Sequence, residues 1–436
     1  MTHSHPSLKT LYAALLVGAA APLAAATPPP GGDLVALYKD LHSHPELAFQ
    51  ETRSAAIMAA EARKAGFTVT EQVGGTGVVA VIVNGTGPVV LIRADMDGLP
   101  VREATGLPYA STATGKAPDG SDTPVMHACG HDIHMAVWAG VAREMARTRK
   151  DWSGTLVMIG QPAEESVAGA KAMLKDGLFT RFPRPDFALA LHDSADLPAG
   201  QVSVPPDRAL AASNSVDIEV KGVGGHGAYP YTTKDPIVLA ARIVGTLQTL
   251  VARENDPFKP AVVTVGAFNG GNRGNVIPDG VKMQLTVRSY DAEQQKRLIE
   301  GIARIARGEA MAAAIPEALM PVVTVGGGTG VTLNTEGLAA RVKAVLTTRL
   351  GANRVVERNP SMAGEDFNQY NIADPRIQTT IFWLGGVPQA KWDAAQKGGP
   401  AIPSLHNSGW APDPALTIAT GVEAMTAAAM DLLAKK

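Results

Sequence analysis

The sequence predicts an α/β protein: a discontinuous catalytic domain with a mixed sheet flanked by helices, and an inserted ferredoxin-like α+β lid domain. Three observations predict it. Between residue 33 and about residue 206, short apolar runs alternate with segments of helical period, the pattern of a sheet joined by crossovers. From about residue 209 the order changes to βαββαβ, that of a small two-layer module. Beyond the module, helical and strand-like runs resume, so the first unit is interrupted rather than finished. The expected boundaries are 33–208 and 322–436 for the catalytic domain and 209–321 for the lid.

Each element follows from its pattern. In the first unit 77–83 and 89–92 are β-branched runs, 133–148 has helical periodicity, 155–159 is strand-like, and 187–191 is short and apolar. In the module 216–220 reads as a strand, 235–253 as a helix, 262–267 and 281–288 as strands, 292–313 as a helix and 322–325 as a strand. Afterwards 336–350 is helical, 379–384 strand-like and 418–433 a closing helix.

The bulk numbers set limits. The chain has 436 residues, 45% hydrophobic and 18% charged, ordinary for a globular protein. At roughly 150 residues per domain, two or three domains are expected. A net charge of −2 gives no reason to expect a nucleic-acid partner. At the N-terminus, Lys9 precedes the apolar run 11–21 and an Ala24/Ala26 small-residue step. That order reads as a secretory signal over 1–26 and implies an exported protein, periplasmic or secreted. The run is shorter than the roughly 20 residues of a spanning helix and is broken by Pro22. No later stretch reads as long and apolar enough to span, so no stable membrane insertion is expected. The single cysteine, Cys129, leaves no internal disulfide; it is an inert buried thiol, a metal ligand or a nucleophile.

Chemistry-bearing residues cluster. Cys129, His131, Asp132 and His134 lie within His127–His134, and a turn at Gly130 lets thiolate and imidazole face one site. Such borderline-soft ligands suit zinc, manganese, nickel or cobalt. Gln161-Pro162-Ala163-Glu164-Glu165 follows a strand-like run, the usual catalytic position in open α/β sheets. One of two adjacent carboxylates can ligate metal while the other serves as general base; the competing reading is a solvated pair at a helix start. His192 ends the apolar run 187–191, and His406 stands late in the chain. Counted together, Cys129, His131, Glu165, His192 and His406 suit two divalent ions about 3.5–4 Å apart. In the module, glycines flank His226 and allow close approach to a ligand; the segment lacks the strand–loop–helix context of a phosphate loop. Asn275 and Arg288 are candidates to orient a carbonyl or carboxylate, with capping or ion pairing as the alternative.

These segments resemble the hippurate hydrolase, N-acyl-amino-acid amidohydrolase and indole-acetyl-amino-acid hydrolase family, relatives of aminoacylase and carboxypeptidase G. The landmarks run from Leu41-His42-Ser43-His44-Pro45-Glu46-Leu47 through Arg93-Ala94-Asp95-Met96-Asp97-Gly98-Leu99-Pro100 and the Cys129 and Glu164 segments. They continue with Gly224-Gly225-His226, Asn275-Val276-Ile277-Pro278 and Gly364-Glu365-Asp366-Phe367. The resemblance implies that Cys129, His131, Glu165, His192 and His406 hold two metals, with Glu164 as general base and Asp97 orienting a ligand. It also implies that His226 stabilises the oxyanion, often from the partner subunit of a homodimer formed through the lid, and that Asn275 and Arg288 orient substrate. Departures at Met135, Ser194-Ala195, Tyr231 and 407–412 flank the ligands and bear on the substrate side-chain pocket.

The expected reaction is metal-assisted attack of water on the amide of an N-acyl amino acid or similar small amide. A dipeptidase or carboxypeptidase is the neighbouring alternative. A thiol mechanism at Cys129 and a non-catalytic metal- or amino-acid-binding protein are the rivals from other classes; chelator sensitivity and a hydrolysis assay separate them.

Overall fold

The computed structural model describes residues 32–435, so the expected signal segment at 1–26 lies outside the described residues. Its larger sheet has seven strands in the order Thr68–Thr70, Val78–Asn84, Gly154–Gln161, Val89–Asp95, Phe187–Pro198, Gln378–Val387, Val202–Ser203. The four strands from Gly154–Gln161 to Gln378–Val387 are mutually parallel, and the outer pairings are antiparallel. The sheet is therefore mixed, as expected.

Central parallel strands are buried on both faces, which is why they read as unbroken apolar runs. Pleating divides them. Val90 and Ile92, with Leu156 and Met158, pack beneath helices Gly32–His42, Thr52–Lys64, His131–Arg147, Glu336–Leu350 and Pro414–Leu432. Leu91, Val157 and Ile159 face the opposite core, with Met173 and Tyr370. Helix His131–Arg147 is buried around nearly its whole circumference over its first three turns, as its all-round apolar composition requires. At Gly140 a β-carbon would meet Val422 Cγ2 at 2.5 Å, so glycine sets how closely this helix approaches Pro414–Leu432.

The smaller sheet orders its strands Ala261–Asn269, Gly280–Ser289, Ala212–Lys221, Val322–Thr329, all antiparallel. In chain order this is 2-3-1-4, the ferredoxin-like arrangement. Helices Pro236–Thr249 and Ala292–Ala312 cover one face, packing on Val216, Ile218, Met283, Leu285 and Val287. The other face carries Ser213, Ser215, Thr286 and Arg288, cross-strand partners in the register Ser213↔Arg288 and Ser215↔Thr286.

Three expectations need correction. The fourth strand of the small sheet, Val322–Thr329, pairs with Ala212–Lys221, so this module runs past the expected boundary at 321; without that strand its partner would be an exposed edge. His192 does not end its strand: Phe187–Pro198 continues along Gln378–Val387 as far as Pro198. On its other side, pairing with Val89–Asp95 stops at Arg93↔Ala190, which leaves the flank of His192 open. Finally, Pro236–Glu254 is long and apolar enough, by length and composition, to cross a membrane. Its Leu239, Ala240, Ile243, Leu247 and Leu250 are buried in the small domain's core instead.

Candidate metal centre

The parallel strands end together, and the polar residues beyond them meet at that edge. Asp95 and Gln161 are register partners, so Asp97 and the Glu164-Glu165 pair leave adjacent strands side by side. Gly130, with φ 79°, turns the chain into helix His131–Arg147; a β-carbon there would strike the Asp193 carboxylate, so the tight turn after Cys129 requires glycine. Ala163 (φ 52°), Val167 (φ 55°) and His406 (φ 64°) hold left-handed backbone without glycine. Such strain concentrates at functional sites.

The five candidate ligands and Glu164 converge. Cys129, His131 and His192 form one group; Cys129, Glu165 and His406 another; His131, Glu164 and Glu165 a third, with ligand atoms inside each group within 4.8 Å of one another. Cys129 Sγ lies 3.6 Å from His192 Nε2 and 3.2 Å from His406 Nε2. His406 Nε2 is 3.4 Å from Glu165 Oε1, and His131 Nε2 is 3.9 Å from Glu164 Oε2. His131 Nε2 and Glu165 Oε1 are buried with no hydrogen-bond partner. Buried polar atoms are normally satisfied, so two inward-facing orphan atoms among soft and hard donors fit divalent cations.

The surrounding shell fixes these groups. The Asp97 carboxylate accepts from the amides of Glu164 (3.1 Å) and Glu165 (3.0 Å). His131 Nδ1 lies 2.8 Å from the Asp97 carbonyl, which leaves Nε2 facing the cluster. His192 Nδ1 is held the same way by the Asp193 carbonyl at 2.8 Å. Asp97 thus orients the loop and a candidate ligand together; at metal sites such a contact commonly tunes the ligand. Burial, then the charges of Glu365 and Glu165, raises the Glu164 carboxyl well above the usual carboxylate range. Burial and Glu165 raise the Cys129 thiol likewise, the opposite of what a free thiolate nucleophile needs.

Other groups at this edge had no assigned role in the sequence reading. Arg93 is fully buried and pairs with Asp95 at 2.5 Å, Glu365 at 2.6 Å and Asp366 at 3.2 Å, while Gln161 joins Arg93 to Asp366. Burial pushes Asp366 up to about 7 against the pull of Arg93. His134 links Asp95, at 2.5 Å from Nδ1, to the Asp193 amide at 2.9 Å. The available signal was the alternation of Arg93, Asp95 and Asp97, which puts three charges on one side of a strand end.

A cavity of about 780 Å³ opens over the cluster, lined by Cys129, Glu164, Glu165, His192 and His406 below and by Ser213, Ser215, Thr286 and Arg288 of the small sheet above. Arg288 therefore reaches the site, and burial alone lowers its guanidinium pKa. His226 and Asn275 do not line this cavity. They sit together on the exposed part of the small domain, where Gly227 donates to the Asn275 carbonyl and His226 pairs with Val276.

Comparison with known proteins agrees with this arrangement. Residues 91–397 match peptidase family M20/M25/M40. A hippurate hydrolase of Campylobacter jejuni is 36% identical over 338 residues, 77% of this chain and 84% of that protein. An IAA-amino acid hydrolase of Arabidopsis thaliana is 34% identical over 77% of this chain and 74% of its own length. Among solved structures, a Bacillus subtilis protein described as a dinuclear metal binding peptidase of family M20 superposes with TM-score 0.71 at 28% identity, covering 92% of this chain and 97% of that one. By family match, identity and shared architecture, the chain belongs to peptidase family M20/M25/M40.

Proposed function

We propose that this protein is a metal-dependent amidohydrolase that cleaves the amide bond of N-acyl amino acids. The observation that carries the reading is the pair of orphan atoms, His131 Nε2 and Glu165 Oε1, buried beside Cys129, His192 and His406 with a spare carboxylate, Glu164, next to them. In this reading Cys129, His131, Glu165, His192 and His406 hold two divalent ions drawn from zinc, manganese, nickel or cobalt. When bound, such ions acidify water and polarise the substrate carbonyl.

The chain's own residues do the rest. Glu164 accepts a proton from the attacking water and delivers it to the departing amine as the C–N bond breaks, releasing a carboxylic acid and an amino acid. Arg288 binds the substrate carboxylate from the small sheet, and its fork suits a bidentate carboxylate. Asp97 keeps Glu164 and His131 in register. His226 and Asn275 act from a second subunit of a homodimer formed through the small domain, which accounts for their exposed position beside Tyr229 and Tyr231. The order of Lys9, the 11–21 apolar run and the Ala24/Ala26 step supports export to the periplasm or beyond; cell fractionation with N-terminal sequencing of the recovered protein tests it.

The deciding experiment is hydrolysis of N-acetyl and N-benzoyl amino acids by metal-reconstituted protein, alongside Glu164→Ala and Cys129→Ser. Glu164→Ala is expected to keep its metal and lose roughly 10²–10⁴ of its rate. Cys129→Ser is expected to retain less metal by elemental analysis. Full turnover in the first variant, or unchanged metal in the second, overturns the corresponding assignment.

A further inference from the structure

The cavity over the cluster holds two guanidinium groups, and carboxylate binding from the small sheet uses only Arg288. The other is Arg358. Its guanidinium lies 3.9 Å above the Trp383 ring, and that ring packs on His192 with 5.5 Å between centroids. The stack holds the group rigidly one indole away from a candidate ligand. Arg358 Nη2 donates to Asp196 at 2.6 Å, while Nη1 is buried without any acceptor. The Arg358 side chain is 14% exposed and that of Asp196 71%. An ion pair so open on one side contributes little and engages a single nitrogen of a planar fork built for two parallel hydrogen bonds. A buried donor with no acceptor is costly, and a carboxylate that enters the cavity and displaces the exposed Asp196 could take both nitrogens of the fork. Arg288 forms no ion pair among the described residues, and Arg358 has only the solvent-exposed Asp196.

We propose that Arg358 is a specificity-determining anion site, and that the preferred substrates are N-acyl amino acids bearing a second carboxylate besides the one Arg288 holds. This rests on the amidohydrolase reading. The second carboxylate comes either from the amino-acid side chain or from the far end of the acyl group, since both present the same planar anion to the same fork.

The test compares kcat/KM of the metal-reconstituted full chain on N-acetylglutamate against N-acetylglutamine, and on N-succinylalanine against N-butyrylalanine. At least one dianion is expected to be cleaved about tenfold better than its monoanionic partner, as a charge-assisted pair warrants. The arm that shows the preference identifies the source of the carboxylate. Arg358→Gln should lower the dianion at least about tenfold more than the monoanion, whereas Asp196→Asn should keep the preference. No dianion preference in either arm, or equal losses for both substrate types in Arg358→Gln, overturns the proposal. A purely structural ion pair would instead show the same change in Asp196→Asn. Calorimetric binding of glutarate against butyrate reads the site without turnover: tighter glutarate binding that Arg358→Gln abolishes supports it, and equal binding overturns it. Glutarate binding with no amide hydrolysed would count against the amidohydrolase reading alone.

Discussion

The two sheets treat their polar side chains in opposite ways. At the C-terminal edge of the large sheet, charged groups are buried and tied to one another: Arg93 to three carboxylates, Asp97 to two amides, His134 to two strands. On the small domain, buried polar groups such as Ser289, Gln294 and Gln295 lie away from the cavity, and many of the others are exposed and loosely held. The His226 ring makes one hydrogen bond, from the Ala228 amide, and ion pairs such as Arg307–Glu317 lie open to solvent at 55% and 74% exposure. The groups proposed to hold metal sit on a rigid sheet edge, and the groups proposed to meet the substrate sit on a domain with fewer constraints. Substitutions in the first region should therefore cost stability or metal, and those in the second should cost rate alone.

The sharpest contrast is Arg93→Met. Removing the cation leaves Asp95, Glu365 and Asp366 buried without it, and breaking one side of a buried pair costs about 3–5 kcal/mol. Denaturant unfolding is expected to show a loss of that size. A variant as stable as the parent would mean that the buried network is not what holds the strand edge.

His226→Ala breaks the comparison from the other side. With its ring exposed, unfolding should be unaffected, while loss of an oxyanion donor lowers kcat by roughly 10²–10³. Unchanged kcat would remove His226 from the reaction and with it the argument for a second subunit. Asp97→Ala lies between the two. The Glu164 and Glu165 amides lose their acceptor and His131 its support, so metal affinity should fall about 10–100-fold, read by competition with a chelator. Loss of activity at saturating metal, with affinity unchanged, would shift Asp97 from a positioning role to a chemical one.

Much of this site was legible in the sequence because its parts are local. Cys129 and His131 share one turn, and Glu164-Glu165 follow an apolar strand. The ferredoxin-like order was legible for a similar reason, since periodicity switches cleanly between 2 and 3.6 along residues 212–329. What stayed hidden depends on long-range pairing. Arg93 and Glu365 are 272 residues apart, and neither residue's surroundings announce the other. His192 looked like a strand terminus because the apolar run stops at Leu191, whereas hydrogen bonding to Gln378–Val387 carries the strand to Pro198. The boundary at 321 fell short because the strand read at 322–325, although counted in the βαββαβ order, was left outside the lid's bounds; its pairing with Ala212–Lys221, which runs on through Gly326-Gly327-Gly328 to Thr329, assigns it to the small sheet. Arg358 carried no motif at all; its stacking on Trp383, its place in the cavity wall and its unpaired Nη1 mark it.

The mildest test uses a buried charge on the large-sheet domain that is not itself a candidate ligand. His42, at the end of helix Gly32–His42, lies with Nδ1 2.6 Å from Asp132 and Nε2 3.0 Å from Glu103. Burial opposes its charge, but the two carboxylates win and raise its pKa to about 10. A folded pKa above the unfolded value of roughly 6.5 means that the folded chain binds the proton more tightly. The stabilisation is therefore complete below about pH 6.5 and is lost progressively as pH rises toward about 10. The difference in unfolding free energy between the parent and His42→Gln should be largest near pH 6 and shrink steadily to pH 10. Because both proteins share every other titrating group, a difference that stays flat across that range would mean that His42 is held neutral, and that this buried cluster works by shape rather than by charge.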